Sequence, residues 1–241
     1  TGVFCAMMIG RNGWDPLATS AVILTIGTIF GATMGFFIYR FKIPAFIVTL
    51  SGLFLARGMA YVLSTDSIRI DHPFYEQISD LVYIFPDRGR FTFAAGAFLI
   101  VLVIGIFLAH YTRFGNRVYA LGGGVEAARL MGVPVGRTTV LIYMLSSTLA
   151  AFAGIVFSFY TSSGYALAAT GLELDAIAAV VIGGTLLTGG SGYVAGTLVG
   201  VMLMGLVQTY ISFNGSLNGW WTKIVIGVLV VSFVLFTSFW T

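Results

Sequence analysis

The chain has 241 residues, of which 58% are hydrophobic, and it carries only 12 basic and 9 acidic side chains, for a net charge of +3. A soluble domain has about 25% charged residues, so the 9% found here is too little to cover the surface of a soluble fold. This composition excludes a soluble enzyme, a disordered chain and a disulfide-stabilised domain, and it leaves the lipid bilayer as the solvent.

Long apolar runs recur along the chain and predict an all-α, polytopic transmembrane helix bundle, since each run is able to cross about 30 Å of hydrocarbon. Residues 1–9 are apolar but too short to span, and we expect them to be the end of a helix that starts before the chain. About seven spans are predicted after this partial one, at residues 17–39, 44–63, 93–110, 138–160, 174–187, 195–210 and 221–240. The segment 174–192 is short and glycine-rich, and it either spans fully or is re-entrant.

The basic residues in the loops predict the orientation. With alternating spans, residues 40–43, 111–137 and the glycine-rich turn 188–194 lie on one side, and the acidic loop 64–92 lies on the other. Cytoplasmic loops are enriched in Lys and Arg, so the first group is predicted to be cytoplasmic and the loop 64–92 periplasmic. The basic residues that decide this are Arg40, Lys42, Arg113, Arg117, Arg129 and Arg137.

Glycines repeat at every fourth position in two of the predicted spans. One set is Gly27, Gly31 and Gly35, and the other begins at Gly192 and continues through Gly196 to Gly200. Small residues at this spacing let helix backbones approach closely in lipid. The sequence therefore predicts a compact bundle or an oligomer interface.

Motifs for catalysis or metal binding are absent from the sequence. There is no G-x-x-x-x-G-K-[ST] phosphate loop, no H-E-x-x-H and no cysteine cluster. An intramembrane serine protease is also disfavoured, because Ser51, Ser146 and Ser147 have no His or Lys partner within the predicted spans. We therefore expect a chain that is not an enzyme and binds neither a metal nor a cofactor.

Polar residues within the predicted spans are candidates for a transport path, since such residues are rare in membranes and usually functional. Arg57 either lines this path or extends toward the outer interface. Asp175 either lines it or stabilises a helix N-terminus, and the threonines either bind substrate or bond to their own helix carbonyls. The candidate path residues are Phe46, Thr49, Arg57, Glu173, Asp175 and Thr185.

The predicted cytoplasmic loop 111–137 contains a segment, 125–134, that reads as a short helix ended by Gly132 and Pro134. Leu130 and Met131 of this helix are expected to be exposed. Such a helix either docks into a groove of another protein or lies on the lipid surface.

Here the sequence resembles a known family. Glu126-Ala127-Ala128 followed by Gly132 is similar to the EAA-type coupling loop of ABC importer permeases. Other segments are similar to permeases of ribose, galactose and xylose importers, and 157–161 and 220–224 are most similar to those of galactofuranose importers. The segments are KIPAFIVTL (42–50), TRFGN (112–116), VYALGG (118–123), LELDAIAAVVIGGT (172–185), FSFYT (157–161) and WWTKI (220–224).

The resemblance implies a multi-pass permease of the bacterial inner membrane, with residues 1–241 as one permease domain and 111–137 as its cytoplasmic coupling loop. It also implies an N-terminal truncation relative to a permease of roughly ten helices, and Gly124 stands where the family usually has Asn. The implied substrate is a monosaccharide, a pentose or hexose such as galactofuranose. The residues implied for coupling to the ATPase are Glu126, Ala127, Ala128, Arg129 and Gly132.

The implied partners are an ATP-binding subunit that holds ATP and Mg²⁺, a second permease subunit, identical or related, and a periplasmic sugar-binding protein. A branched-chain amino acid permease of the same superfamily remains an alternative, although a zwitterion would require charged partners along the path. A channel or secondary transporter outside the ABC class is the other alternative, but secondary transporters often show inverted repeats and midplane acids, and neither is evident.

Overall fold

The computed structural model of the chain describes residues 1–79, 83–84, 90–214 and 220–240. Parts of the predicted periplasmic loop, residues 80–82 and 85–89, lie outside the described residues. The helices are α1 Gly2–Ala6, continued by a π-helical turn Met7–Arg11, α2 Pro16–Phe41, α3 Ala45–Leu63, α4 Pro73–Ser79, α5 Phe93–Tyr111, α6 Arg113–Gly123, α7 Val125–Leu130, α8 Val135–Thr161, α9 Leu172–Ile182, α10 Val194–Asn214 and α11 Trp220–Trp240. The short strands are β1 Ile68–Arg69, β2 Tyr83–Ile84, β3 Arg90–Phe91 and β4 Ser163–Gly164.

The predicted helical membrane bundle is confirmed. Helices α2, α3, α5, α8 and α10 are each long and apolar enough to cross a membrane, and they coincide with five of the predicted spans. Helix α11 covers the last predicted span. The remaining segment is helical only in α9, whose 11 residues rise about 16 Å, roughly half of the hydrocarbon thickness.

The chain forms two compact units: Thr1–Ile100 with Pro134–Ala168, and Val101–Val133 with Ala169–Thr241. Each unit combines segments that are distant in sequence, as helix packing in a bundle requires. The assignment of residues 1–241 to one permease domain stays a prediction.

The first unit is built on close packing of α2 against α8. A Cβ at Gly31 would overlap the carbonyl oxygen of Tyr143, and a Cβ at Gly27 would lie 2.7 Å from the Cβ of Ala151. The two backbones therefore touch where the glycines repeat, as predicted. The hydroxyl oxygens of Thr28 and Thr148 lie 2.8 Å apart across this contact, which adds a polar link between the helices.

A buried cluster around Tyr75 packs α4 against the end of α8 in the first unit. The ring of Tyr75 lies 4.5 Å from that of Phe159, and its hydroxyl lies 3.2 Å from the hydroxyl of Ser158. Burial raises the pKa of Tyr75 to about 12, so the phenol is neutral in the folded chain. Next to this cluster β1 pairs antiparallel with β4, with Ile68 opposite Gly164, which fixes the loop after α3 to the end of α8.

In the second unit α9 packs against α10 and α11. A Cβ at Gly196 would overlap the carbonyl oxygen of Gly183, and one at Gly200 would overlap that of Ala179. The second glycine stripe is thus also a helix contact, except that Gly192 precedes α10 and faces Thr185. Ala178, Ala179 and Ile182 form a buried core with Met204 and Ile226.

Candidate functional site

A cavity of about 530 Å³ opens between α2, α3 and α8 in the first unit. This volume lies in the usual range for small-molecule sites. The wall is mostly apolar with a few polar groups, the usual composition of such sites. Its lining residues are Phe30, Met34, Thr49, Gly52, Leu53, Ala56, Arg57, Tyr143, Ser146, Ser147, Ala150 and Ala166.

Two predicted path residues, Thr49 and Arg57, lie together in this wall. They are eight positions apart on α3, slightly more than two helical turns, so they share one face of the helix. Arg57 is half-buried, and it is the one charged side chain among the lining residues. Its place in the wall favours lining the cavity over extending outward along lipid.

Three hydroxyl groups on α8 also line the cavity, those of Tyr143, Ser146 and Ser147. Thr49 donates to the carbonyl of Ala45 at 3.0 Å, whereas none of these three hydroxyls has a hydrogen-bond partner among the described residues. They are available to a polar ligand. Sequence reasoning did not include Tyr143, although its spacing of three and four from the two serines was a signal for one shared face.

The structure does not place the other predicted path residues in this wall. Phe46 lies on the first turn of α3 and is 74% exposed. Glu173 is exposed in the first turn of α9, and Thr185 follows that helix against Gly192. Asp175 forms an ion pair with Lys223 of α11. The path role of all these residues stays a prediction.

The predicted short helix of the loop 111–137 is present as α7, and Gly132 ends it. The amide of Gly132 donates to the carbonyl of Arg129 at 3.0 Å, and that of Val133 donates to Ala128 at 3.0 Å. Gly132 has φ +78°, a conformation that side chains other than glycine disfavour. The chain then turns into α8 at Pro134.

One side of α7 is exposed and apolar. Leu130 is 89% exposed and Met131 is 68% exposed, as expected for a helix that needs a partner. Glu126 and Arg129 form an exposed ion pair at 3.3 Å. Ala127 is exposed, but Ala128 is completely buried, so its small size serves packing within this chain rather than approach to a partner.

Sequence reasoning missed α6, the helix that supports α7. The hydroxyl of Thr112 accepts from the amide of Gly115 and begins this helix. Phe114 and Val118 are half-buried, while Arg113 and Arg117 are exposed. The apolar spacing at 114, 118 and 121 was the available signal for an amphipathic helix.

The inner face of α6 contacts the glycine-rich loop between α9 and α10. The hydroxyl of Tyr119 donates to the carbonyl oxygen of Gly192 at 2.8 Å. The ring of His110 stacks on those of Tyr119 and Tyr193, at centroid distances of 5.9 and 5.7 Å. The glycine-rich loop therefore lies next to α6, and the cytoplasmic placement of both segments stays a prediction.

Among the described residues, no group of three or more His, Cys, Asp or Glu side chains is placed to hold a metal ion. The expectation that this chain binds no cofactor stays a prediction. The first unit therefore provides a mostly apolar cavity with a few polar groups in its wall, and the second unit provides an exposed apolar helix, α7, that packs on α6.

Comparison with known proteins gives consistent matches. A family model described as "Branched-chain amino acid transport system / permease component" matches residues 1–234. The inner membrane ABC transporter permease protein YjfF of Escherichia coli (strain K12) is 56% identical over 97% of this chain and 71% of its own length. The fructose import permease protein FruG of Bifidobacterium longum (strain NCC 2705) is 40% identical, over 95% of this chain and 69% of its own length. The ribose import permease protein RbsC of Escherichia coli (strain K12) is 35% identical, over 98% and 73% respectively. No solved structure matches the chain significantly.

Proposed function

The chain belongs to the family of branched-chain amino acid transport system permease components, and we propose that within it this chain is the permease subunit of a binding-protein-dependent ABC importer for a monosaccharide. It is a multi-pass protein of the bacterial inner membrane. Its relatives named for a substrate, FruG and RbsC, are named for fructose and ribose. These names support a sugar over the branched-chain amino acid in the family description.

The cavity of the first unit is the observation that carries the choice of substrate. Its polar lining consists of the hydroxyls of Thr49, Tyr143, Ser146 and Ser147 and one cationic group, that of Arg57. Hydroxyls and a guanidinium provide the donors and acceptors that a neutral polyol needs. A zwitterionic amino acid also needs a partner for its ammonium group, and no carboxylate lines this cavity among the described residues.

Coupling to ATP hydrolysis is assigned to α7. The proposal is that Leu130 and Met131 enter a groove on an ATP-binding subunit, with Glu126, Ala127 and Arg129 at its edge. Buried apolar side chains contribute most of the affinity in such a helix-in-groove contact. Gly132 fixes the exit angle of the chain, and buried Ala128 keeps α7 on its support.

The remaining partners follow from this assignment. A second permease subunit, identical or related, completes the translocation path, and a periplasmic sugar-binding protein delivers the substrate. The chain itself is non-catalytic, because ATP and Mg²⁺ are held by the ATP-binding subunit.

Purification and uptake test this function together. The tagged protein, solubilised from its own host membrane, is expected to bring down an ATP-hydrolysing subunit. A deletion strain is expected to lose uptake of a labelled monosaccharide, tested with ribose, fructose and galactofuranose, and to keep uptake of labelled leucine. Loss of leucine uptake alone would establish the amino acid alternative, and absence of any co-purifying ATPase would exclude the importer.

A further inference from the structure

Helix α6 is fastened to the loop that joins α9 to α10 by one long-range hydrogen bond. The hydroxyl of Tyr119 reaches the carbonyl oxygen of Gly192, 73 residues further along the chain, at 2.8 Å. Gly192 lies two residues before α10 begins at Val194. This bond therefore joins the support of α7 to the start of a membrane-spanning helix.

A stack of three rings reinforces the same junction. His110, at the end of α5, lies between Tyr119 of α6 and Tyr193, which directly precedes α10. The ring planes are inclined by only 23° and 28°. Stacked rings resist approach along their normal, because their faces are already in contact, and they add contact energy to the hydrogen bond.

Direct backbone contact makes the junction stiff. A Cβ at Gly122 would overlap the amide nitrogen of Gly190, and one at Gly190 would lie 2.9 Å from the Cα of Gly123. Gly190 also has φ +80°, so the loop conformation itself depends on glycine. With no side chain between the two backbones, a displacement of α6 has no compliant group to absorb it.

The loop is also held together internally and follows α9 directly. The amide of Leu186 donates to the carbonyl of Ser191 at 3.2 Å, and that of Gly189 donates to Leu186 at 3.1 Å. Close backbone contact between Gly183 and Gly196 joins α9 to α10 at the loop. A displacement of the loop is therefore expected to move α9 and α10 together.

We propose that Tyr119 is a positioning residue for coupling: with His110 and Tyr193 it passes displacement of α7 to the α9–α10 pair. This inference rests on the proposed function, because the ATP-binding subunit is what displaces α7. ATP binding and release supply the two states between which such a link is driven. Tyr119 then acts after docking, so its loss separates ATP hydrolysis from transport without releasing the ATP-binding subunit.

Substitution of Tyr119 tests this link in the assembled transporter reconstituted in vesicles. Tyr119→Phe keeps the ring stack and removes the hydrogen bond, so sugar transported per ATP is expected to fall by about 2- to 10-fold, the range for one lost hydrogen bond. Tyr119→Ala removes both the ring stack and the hydrogen bond, so sugar transported per ATP is expected to fall further in this variant. Tyr111→Phe is the matched control, because the hydroxyl of Tyr111 has no described hydrogen bond and its side chain is exposed.

Two further measurements make the outcomes decisive. Co-purification of the ATP-binding subunit and basal ATP hydrolysis are expected to stay at the wild-type level in Tyr119→Phe. Gly190→Ala, which disturbs the backbone contact from the other side, is expected to lower transport per ATP in the same way. Wild-type transport per ATP in both Tyr119→Phe and Gly190→Ala overturns the proposed link. A wild-type protein that binds no ATP-binding subunit overturns the proposed function instead.

Discussion

The ammonium nitrogen of Lys223 on α11 lies 3.3 Å from both carboxylate oxygens of Asp175 on α9. Asp175 is the more buried partner, with 21% of its side chain exposed against 52% for Lys223. The pair therefore ties the start of the short helix to the last helix of the described chain.

This pair predicts the result of a charge exchange. Asp175→Lys places two cations together and is expected to lower both the thermal stability and the uptake, because like charges repel across a partly buried contact. The double variant Asp175→Lys with Lys223→Asp is expected to recover most of the stability, because it places opposite charges together again in the same partly exposed contact. Stability is read from the melting temperature in detergent. If the exchange restores stability but not uptake, Asp175 or Lys223 also acts in transport, and Lys223→Asp alone separates the two.

The same substitution is expected to have different effects at Gly31, in the contact between α2 and α8, and at Gly58, on α3 outside this contact. Gly31→Ala forces a methyl group against the backbone of α8 and is expected to destabilise the protein by about 1–3 kcal/mol, the usual range for overpacking. A Cβ at Gly58 of α3 meets nothing within 4 Å, so Gly58→Ala is expected to be neutral or to stabilise by about 0.5–1 kcal/mol through helix propensity. Equal melting temperatures for the two variants would contradict the packing described here.

Arg57 is expected to be needed for uptake. Arg57→Ala and Arg57→Lys both remove the planar guanidinium from the cavity wall, and a lysine does not reproduce its bidentate geometry. Both variants are expected to insert normally and to bind the ATP-binding subunit, yet to transport less. Ser51→Ala is a suitable control on the same helix, because the hydroxyl of Ser51 bonds to its own helix at the carbonyl of Ile47. Normal uptake in Arg57→Ala would mean that Arg57 extends toward the interface and does not act in transport.

Gly132 is expected to be the most sensitive position of the α7 segment. A Cβ at Gly132 meets nothing within 4 Å among the described residues, so a substitution acts through the backbone conformation at φ +78° and through the charge it adds beside the proposed docking face. Gly132→Asp is expected to abolish transport and loosen the ATP-binding subunit, whereas the near-isosteric Gly132→Asn should keep more activity because it fits the same conformation without adding a negative charge. Glu126→Ala should act in the same direction but weakly, since its ion pair is exposed. Co-purification and uptake measure both effects, and wild-type values for Gly132→Asp would exclude α7 as the coupling element.

The predicted membrane orientation can be tested by labelling single cysteines with an impermeant thiol reagent. In a background with Cys5→Ala, single cysteines at Asp71, Arg129 and Thr188 report the two sides. Label is expected at position 71 in intact spheroplasts, and at 129 and 188 only after the membrane is permeabilised. Positions 129 and 188 should behave alike because Gly189 and Gly190 contact α6. Label at 129 in intact spheroplasts would invert the topology.

Much of the fold was predictable because membrane helices have strong local signals. Length and apolarity located the spans, and the spacing of Gly27, Gly31 and Gly35 predicted close packing. The packing partner, α8, was not predictable, because the sequence around Gly31 does not indicate that Tyr143 packs against it. The limits of α9 were also missed: the apolar run continues to Leu187, but Gly183 and Gly184 end the helix at Ile182.

The candidate site was predictable only in part, for the same reason. Arg57 and Thr49 were found because polar residues within an apolar run are conspicuous, and α7 because Gly132 and Pro134 delimit it. Ala128 was assigned to the partner surface, but its side chain is completely buried within this chain, which the local sequence does not indicate. The bond between Tyr119 and Gly192 joins two residues whose local sequences give no indication of each other.

The shortness of α9 has a consequence for how the protein is made. An apolar helix of 11 residues is below the length that partitions into a bilayer by itself. It leaves the ribosome before α10 and α11, the two helices that cover it, so on emerging it has no partner from the second half of its unit. We therefore expect the translocon to release α9 into lipid only together with α10, as a hairpin closed by the glycine loop. In a nascent chain that stops before α10, a single cysteine placed in α9 should stay reactive to a water-soluble thiol reagent, and it should become protected once α10 is present.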